Sequence, residues 1–204
     1  MKTGKLIVLE GADGSGKSTH ARLLAEYLEG KGKEVVVTQE PTKGFIGQAI
    51  RMILSGKIRV SPETLTLLFT ADRAEHVDKV IKPALESGKI VISDRYYYST
   101  VAYQSVQGVN DQWISQLNSF VPDPDLVIVL EVASEKALSR MSHREKEVFE
   151  VLNFQKKVQQ KLLNLAYGER MKLAKPGKVW KVISNVDKLE RVQERVREVV
   201  ESHL

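Results

Sequence analysis

The chain has 204 residues, of which 42% are hydrophobic and 28% charged, an ordinary globular composition that suits one α/β domain. It contains no cysteine, which excludes disulfides, thiolate metal sites and cysteine nucleophiles and indicates a reducing compartment. The net charge is +5, but the 31 basic and 26 acidic residues are interspersed and form no long basic block.

These features limit the classes of partner. The charge pattern favours small anionic ligands and predicts no nucleic-acid partner, although weak binding of nucleic acid by a basic surface stays open as the alternative. The apolar run before Glu10 has four residues, and no later run approaches the length of a membrane span. We therefore expect a cytoplasmic protein with no membrane partner.

Apolar, β-branched runs alternate with helix-length segments along the chain, which predicts a parallel sheet. The predicted strands are 5–10, 34–39, 89–93, 125–132 and 179–184.

Helical spacing predicts a helix from residue 17 to about 30 and a helical run over 61–87, which Pro83 interrupts or kinks. The polar segment 139–150 precedes a helical pattern that begins near Phe149, and we interpret this segment as a short mobile lid. Residues 1–204 are interpreted as a single domain.

A phosphate-binding motif follows the first predicted strand. Gly11, Gly16, Lys17 and Ser18 satisfy G-x-x-x-x-G-K-[ST], and an amphipathic helix follows, as this motif requires. Backbone N–H groups would face the β-phosphate, Lys17 would span the β- and γ-phosphates, and Ser18 would bind Mg²⁺. The predicted nucleotide-binding residues are Gly11, Ala12, Asp13, Gly14, Ser15, Gly16, Lys17, Ser18 and Thr19, for ATP or GTP.

The residues after the third strand favour phosphoryl transfer over hydrolysis. Asp94 stands at the carboxyl end of that strand, where it would hold Mg²⁺ or its water, and Arg95 would lie over the phosphates. No N-K-x-D element for guanine is present, and no Glu follows Asp94 to activate water. The alternative interpretation of Asp94 and Arg95 is a turn with an ion pair.

No histidine occupies an obvious general-base position, and we interpret the four histidines as helix-surface or lid residues. This suits an acceptor that is itself a phosphate, because a phosphate monoester has its second pKa near 6 and is already an anion at about pH 7. Such a reaction requires positive charge, for which Lys17, Arg51, Arg95 and the basic residues of the lid are the candidates.

The segments LEGADGSGKST, TQEP, GQAIR, LLFTADRAEHV, DRYYYSTVAYQ and PDLVIVLEV resemble the thymidylate kinase family in order and spacing, over nearly the whole chain. The resemblance implies an α/β fold of the P-loop NTPase type, with three layers: a five-stranded parallel sheet flanked by helices, with a short lid. It also implies Mg²⁺- and ATP-dependent phosphorylation of dTMP to dTDP, in dTTP synthesis, by a homodimer. The alternative is a nucleoside monophosphate kinase that acts on dUMP, UMP or several pyrimidine nucleotides.

The resemblance also assigns roles to residues of the acceptor site. Phe69 would stack on thymine and Arg73 would hydrogen-bond its edge, although core packing for Phe69 and an exposed ion pair with Asp72 for Arg73 are the alternatives from the sequence alone. The other implied contacts are with the base for Thr100 and Gln104, with the sugar for Tyr103 and Asp13, and with the phosphate or its pocket for Arg51, Arg95, Ser99, Glu40 and Pro41.

On the donor side, the chain has Gly14 where some members of the family place an arginine. The resemblance then implies that the lid arginines, especially Arg140 and Arg144, supply the transition-state charge, and which lid residue does so stays open. Adenine would lie between Arg140 and residues 185–187, with Asn185 in contact. His20 and Gln39 replace the Gln and Arg that are often found at their positions.

Overall fold

A computed structural model of the chain describes residues 4–140, 147–168 and 179–204. These residues contain a five-stranded sheet in the order β2-β3-β1-β4-β5, with every pairing parallel. The strands are β1 Lys5–Glu10, β2 Val35–Gln39, β3 Ile90–Asp94, β4 Leu126–Glu131 and β5 Val179–Ser184. The predicted parallel sheet is confirmed, and each strand begins and ends within one residue of its predicted bounds.

Helices cover both faces of this sheet. Side chains alternate along β1, so that Leu6 and Val8 pack on one helical layer while Ile7 and Leu9 pack on the other. The three-layer α/β fold of the P-loop NTPase type is therefore confirmed. The helices are α1 Lys17–Gly30, α2 Phe45–Leu54, α3 Pro62–His76, α4 Lys82–Glu86, α5 Tyr97–Val106, α6 Asp111–Leu117, α7 Ser134–Ser139, α8 Leu152–Ala166 and α9 Leu189–Glu201.

The predicted helical run 61–87 is divided in the structure. Ser61 caps α3 by accepting a hydrogen bond from the backbone N–H of Thr64 at 3.1 Å. A π-helical turn, Val77–Ile81, then separates α3 from α4. Pro83 lies in the first turn of α4, where its missing N–H costs little, so the irregularity precedes the proline.

The predicted lid is described only at its ends. Helix α7 ends at Ser139 and is followed by Arg140. Helix α8 begins at Leu152, slightly later than its predicted start near Phe149. His143 and Arg144 lie outside the described residues. Phe149 stacks on Phe154 with ring centroids 5.0 Å apart.

The prediction that the histidines lie on helix surfaces or in the lid is wrong for two of them. His20 on α1 and His76 on α3 are both buried. His20 packs against α9, where its Nδ1 lies 2.6 Å from Oε1 of Gln193, and burial lowers its pKa. In the part of the chain that the structure describes, no helix is both long enough and apolar enough to cross a membrane.

Candidate active site

The phosphate-binding loop connects β1 to α1 and packs against α7. Gly16 has a left-handed φ of 90° immediately before α1, which allows the loop to turn into the helix. Gly14 has a φ of 74°, and a Cβ at this position would lie 2.2 Å from the carbonyl oxygen of Ala137 on α7. Any side chain at position 14 would therefore displace α7, which agrees with the glycine found there.

Lys17 lies folded over the phosphate-binding loop. Its Nζ donates to the carbonyl oxygens of Ala12 at 2.8 Å and Gly11 at 3.0 Å. Burial, followed by the positive charge of Arg95, lowers the pKa of Lys17 to about 8. The side chain thus lies where an incoming phosphate can replace its carbonyl partners.

Ser18 and Asp94 meet at the carboxyl edge of the sheet. The Ser18 hydroxyl donates to Oδ2 of Asp94, whereas Oδ1 of this buried carboxylate has no hydrogen-bond partner in the structure. Among the described residues no group of three or more His, Cys, Asp or Glu side chains could hold a metal. Mg²⁺ needs no such group, because it typically takes one or two protein oxygens together with waters and substrate phosphates. Ser18 and Asp94 therefore fit a magnesium site.

Arg95 pairs with the phosphate-binding loop and not with its neighbour Asp94. Its Nη2 forms an ion pair with Asp13, and its Nη1 donates to Ser99 Oγ at 2.9 Å and to the carbonyl oxygen of Gly11 at 3.1 Å. Burial would raise the pKa of Asp13, but the charges of Arg95 and Lys17 outweigh it and lower that pKa. Arg95 has a left-handed φ of 73°, a conformation that costs a non-glycine residue about 1 kcal/mol.

Two residues of this region were missed by sequence reasoning. Gln155 on α8 holds Asp13 from the other side, since its Nε2 donates to Oδ2 of Asp13 at 2.8 Å. Glu10, the last residue of β1, is fully buried and accepts hydrogen bonds from the backbone N–H groups of Tyr96 and Ser99. An acidic residue that ends an apolar strand directly before the loop is a signal that could have indicated Glu10.

Every residue that the resemblance assigns to the acceptor site lines one cavity of about 390 Å³. Lys17, Ser18 and Asp94 line the same cavity. The structure thus brings the predicted acceptor residues together beside the predicted donor loop. They are Asp13, Glu40, Pro41, Arg51, Phe69, Arg73, Arg95, Ser99, Thr100, Tyr103 and Gln104.

Arg73, which lines this cavity, is held by buried partners. Its Nε donates to Oε2 of Glu40 at 2.8 Å, its Nη1 to Oδ1 of Asn118 at 2.6 Å and its Nη2 to Thr100 Oγ1 at 2.9 Å. The alternative of an exposed ion pair between Arg73 and Asp72 is wrong, because Asp72 instead accepts hydrogen bonds from Thr42.

Phe69 and Gln104 also line the cavity. Phe69 is half-buried and packs on the small apolar cluster around Ile50 and Leu65, and it also lines the cavity, so core packing and ligand contact are both open to it. Gln104 is fully buried, yet neither Oε1 nor Nε2 has a hydrogen-bond partner in the structure. A buried amide without partners is costly unless a ligand satisfies it.

Arg51 extends from α2 to the segment that follows Glu40. Its Nη2 donates to the carbonyl oxygen of Pro41 at 2.6 Å, and its Nη1 donates to that of Thr42. Tyr103 also lines the cavity, and the guanidinium of Arg95 lies 5.2 Å from its ring centroid. Burial raises the pKa of the Tyr103 phenol, so this hydroxyl stays neutral.

The predicted donor-side residues also reach the phosphate-binding loop. Asn185 is buried, and its Nδ2 donates to the carbonyl oxygen of Ser15 at 2.6 Å. Arg140 donates to the carbonyl oxygens of Gly14 and Asn185, both at 3.3 Å. These contacts bring Arg140 and Asn185 together next to the loop.

Known proteins are similar to this chain over most of its length. The family model described as thymidylate kinase matches residues 9–195. A probable thymidylate kinase of Thermococcus kodakarensis is 42% identical over 208 residues, covering 97% of this chain and 98% of that protein. A probable thymidylate kinase of Pyrococcus abyssi is 43% identical over 208 residues, covering 98% of each chain. One of Thermococcus gammatolerans is 47% identical over 173 residues, covering 80% of this chain and 83% of that protein. The chain therefore belongs to the thymidylate kinase family.

Proposed function

We propose that the cavity of about 390 Å³ binds dTMP and presents its phosphate to the γ-phosphoryl group of ATP held by the phosphate-binding loop. As a member of its family, the chain phosphorylates dTMP to dTDP. The observation that carries the residue-level proposal is the cavity itself, which combines the assigned acceptor residues with Lys17 and Ser18 of the loop.

The base end of the cavity suits the edge of a thymine. Gln104 offers one acceptor and one pair of donors without partners, and the N3–H and an adjacent carbonyl of thymine complement them. Arg73 adds donors only, which suits the carbonyl oxygen at position 4. Phe69 offers an aromatic face for the ring.

Catalysis in this proposal consists of orientation and charge neutralisation. Lys17, Arg51 and Arg95 surround the position where two ionised phosphates must approach, and their charges offset the repulsion. Asp13, whose pKa is lowered, stays an anionic acceptor for a sugar hydroxyl. No general base is needed, because the attacking phosphate oxygen is already an anion.

Mg²⁺ would be held by Asp94 and by the hydroxyl of Ser18, together with oxygens of the nucleotide. When bound, the ion polarises the phosphoryl group and neutralises part of its charge. Arg140 and Asn185 are the proposed contacts of adenine on the donor side, and Arg144 stays a candidate for the transition-state charge.

We also propose that the enzyme acts in the cytoplasm as a homodimer. Helices α2 and α3 contact each other, and each exposes large apolar side chains, among them Phe45, Met52 and Leu67. Phe120, which follows α6, is exposed as well. A second copy of the chain would cover these side chains.

A panel of monophosphates tests the proposed substrate. With Mg²⁺ and ATP, we expect the highest kcat/KM for dTMP, a lower value for dUMP, which lacks only the 5-methyl group, and very low values for dCMP and AMP. Equal rates on CMP or AMP would contradict the proposed site. Equal rates on dUMP, UMP and dTMP would favour the alternative of a broad pyrimidine nucleotide kinase.

A further inference from the structure

A chain of buried polar side chains extends from Arg73 away from the cavity. Glu40 lies at its centre: its Oε2 accepts from Arg73, and its Oε1 lies 3.0 Å from Nδ1 of His76. On the far side, Nε2 of His76 lies 2.6 Å from Oγ1 of Thr38 on β2. Arg73, Glu40 and His76 have side chains that are at most 3% exposed. We call these residues, with Asn118 and Thr100, the Arg73 network.

The partners in this network assign the hydrogen atoms of His76. A carboxylate only accepts, so the hydrogen between His76 and Glu40 belongs to Nδ1. In the neutral ring Nε2 is then an acceptor, and it takes the hydroxyl hydrogen of Thr38. Each side of the imidazole is therefore satisfied, and the ring cannot rotate without losing both hydrogen bonds.

The same network uses most of the donors of Arg73. Oε2 of Glu40 lies 2.8 Å from Nε and 2.7 Å from Nη2, Thr100 takes a hydrogen from Nη2, and Asn118 takes one from Nη1. A guanidinium has five N–H groups, so a second N–H on Nη1 has no partner among the described residues. Because Arg73 lines the cavity, we assign this N–H as the donor to a ligand bound there.

The unpaired N–H of Arg73 can distinguish a 4-oxo pyrimidine from a 4-amino pyrimidine, whereas the amide of Gln104 cannot. A side-chain amide can turn over and present either a donor or an acceptor, so Gln104 alone suits a 4-oxo or a 4-amino pyrimidine. Arg73 has donors only and cannot accept from the amino group of cytosine. Discrimination between an oxo and an amino group at position 4 of the pyrimidine therefore depends on Arg73. It requires that the guanidinium keep one orientation.

We infer that His76 is a positioning residue that, through Glu40, fixes Arg73 for recognition of a 4-oxo pyrimidine. This inference rests on the proposed function, because it assumes that the base of the substrate binds next to Arg73. Without the Nδ1–H of His76, Glu40 loses one of its two side-chain partners and can turn. Arg73 then keeps its bonds to Thr100 and Asn118 but loses its fixed paired contact with Glu40, so that its guanidinium can shift. The loss of this orientation should reduce substrate selectivity more than the rate of the chemical step. The reason is that the proposed function assigns Arg73 to the base, and Lys17 and Arg95 to the phosphates.

Substitutions of His76 test this inference through selectivity. His76→Asn places an amide N–H close to the position of Nδ1 and keeps a donor for Glu40, whereas His76→Phe keeps the ring shape without any donor. For His76→Phe we expect the ratio of kcat/KM for dTMP to that for dCMP to fall about tenfold, with kcat for dTMP changed less than about threefold and the KM of ATP unchanged. His76→Asn should keep the ratio within about threefold of the unaltered protein. Lys79→Gln, at an exposed ion pair with Glu75 beyond the end of α3, is the matched control and should leave the ratio unchanged.

A purely structural role gives a different result. If His76→Phe lowers kcat/KM for dTMP and dCMP by the same factor, or leaves both unchanged, the inference is overturned. If His76→Phe does not fold, His76→Gln is the second variant. The longer side chain of Gln places its amide near the position of Nε2, next to Thr38, and so provides no donor for Glu40. The ratio should then fall in the Gln variant and not in the Asn variant, and equal ratios in the two overturn the inference. If the unaltered protein itself does not prefer dTMP to dCMP, the proposed base recognition fails, which is a separate result.

Discussion

Glu10 at the end of β1 binds Ser99 in the first turn of α5. Its carboxylate accepts hydrogen bonds from the backbone N–H of Ser99 at 3.2 Å and from the Ser99 hydroxyl at 2.5 Å. The same carboxylate accepts from the N–H of Tyr96 at 2.9 Å, so it caps α5 from a neighbouring strand. Ser99 also accepts a hydrogen bond from Arg95 at 2.9 Å. Through this contact Glu10 connects the phosphate-binding loop to the arginine proposed to act on the acceptor phosphate.

Glu10 should make the stability of the nucleotide-free protein depend on pH. Burial raises its pKa from 4.5 to about 7, so between about pH 7 and 4.5 the folded protein binds a proton that the unfolded chain releases. The contribution of Glu10 to the free energy of unfolding therefore increases as the pH falls through this interval. Glu10→Gln does not titrate. We expect the stability difference, unaltered protein minus variant, to be larger at about pH 5.5 than at about pH 8, by on the order of 1–2 kcal/mol.

Chemical denaturation at the two pH values measures this difference. Glu26→Gln, which alters only an exposed ion pair with Arg22 on α1, is the control and should change stability by less than about 1 kcal/mol at either pH. A difference for Glu10→Gln that does not change with pH, or that grows at high pH, would show that Glu10 does not titrate in this interval.

Arg95→Ala should lower kcat by roughly 10³-fold while ATP binding is largely kept, by analogy with arginine residues that stabilise phosphoryl-transfer transition states. The physical reason is that Arg95 lies between the loop and the acceptor cavity, where its charge offsets the repulsion of the two phosphates. Steady-state kinetics with dTMP and a nucleotide-binding titration measure the two effects. Arg22→Ala, an exposed arginine on α1, should keep kcat. A loss of less than about tenfold for Arg95→Ala would indicate a structural role only.

The fold was predictable where one local pattern decides it. Apolar, β-branched runs indicated every strand of the described sheet, and the glycine motif indicated the loop between Glu10 and Lys17. The π-helical turn before Pro83 was not predicted, because sequence alone shows that proline disturbs a helix but not where the chain absorbs the disturbance.

The site was predictable in its residues but not in their pairing. Arg73 and Asp72 are adjacent in sequence, but neighbours at i and i+1 on a helix point in different directions, so an ion pair between them was a poor expectation. Glu10 and Ser99 are 89 positions apart, and Asp13 and Gln155 are 142 apart. No periodicity in the sequence indicates contacts between such distant residues, which follow from the order of the strands.

Asp94→Asn should raise the Mg²⁺ concentration that gives half-maximal activity by about tenfold or more. Asp94 is buried and its Oδ1 has no hydrogen-bond partner in the structure, so a neutral amide there removes a charged oxygen that a bound Mg²⁺ would use. Titration of activity with Mg²⁺ at a fixed ATP concentration measures the effect. Asp78→Asn, on an exposed residue of the π-helical turn, is the control. If kcat falls but the Mg²⁺ dependence is unchanged, Asp94 does not hold the ion.

Leu67→Glu should convert the proposed homodimer into monomers. Leu67 is 48% exposed on α3, and a charged side chain at the centre of an apolar interface would have to be buried without a partner. Sedimentation analysis of the nucleotide-free protein measures the mass. Tyr167→Glu, at an exposed aromatic residue after α8, introduces the same charge elsewhere and should keep the dimer. A monomeric unaltered protein would contradict the proposed assembly directly.

Two glycines with the same backbone φ allow the effect of the contact between the phosphate-binding loop and α7 on stability to be measured. Gly14 and Gly32 both have a φ of 74°, but a Cβ on Gly32 would meet nothing within 4 Å, whereas one on Gly14 would lie 2.2 Å from the carbonyl oxygen of Ala137. Gly32→Ala should therefore destabilise the protein only by the left-handed strain, about 1 kcal/mol. Gly14→Ala carries the same strain and also a steric clash, which adds about 1–3 kcal/mol.

Because Arg140 follows α7 and donates to the carbonyl oxygen of Gly14, displacement of α7 should also raise the KM of ATP in the Gly14 variant and not in the Gly32 variant. Chemical denaturation and steady-state kinetics of both variants give the two comparisons. Equal destabilisation of the two proteins, with equal KM values for ATP, would show that α7 yields to the added methyl group without cost. In that case the close contact would not explain why glycine, and not arginine, occupies position 14.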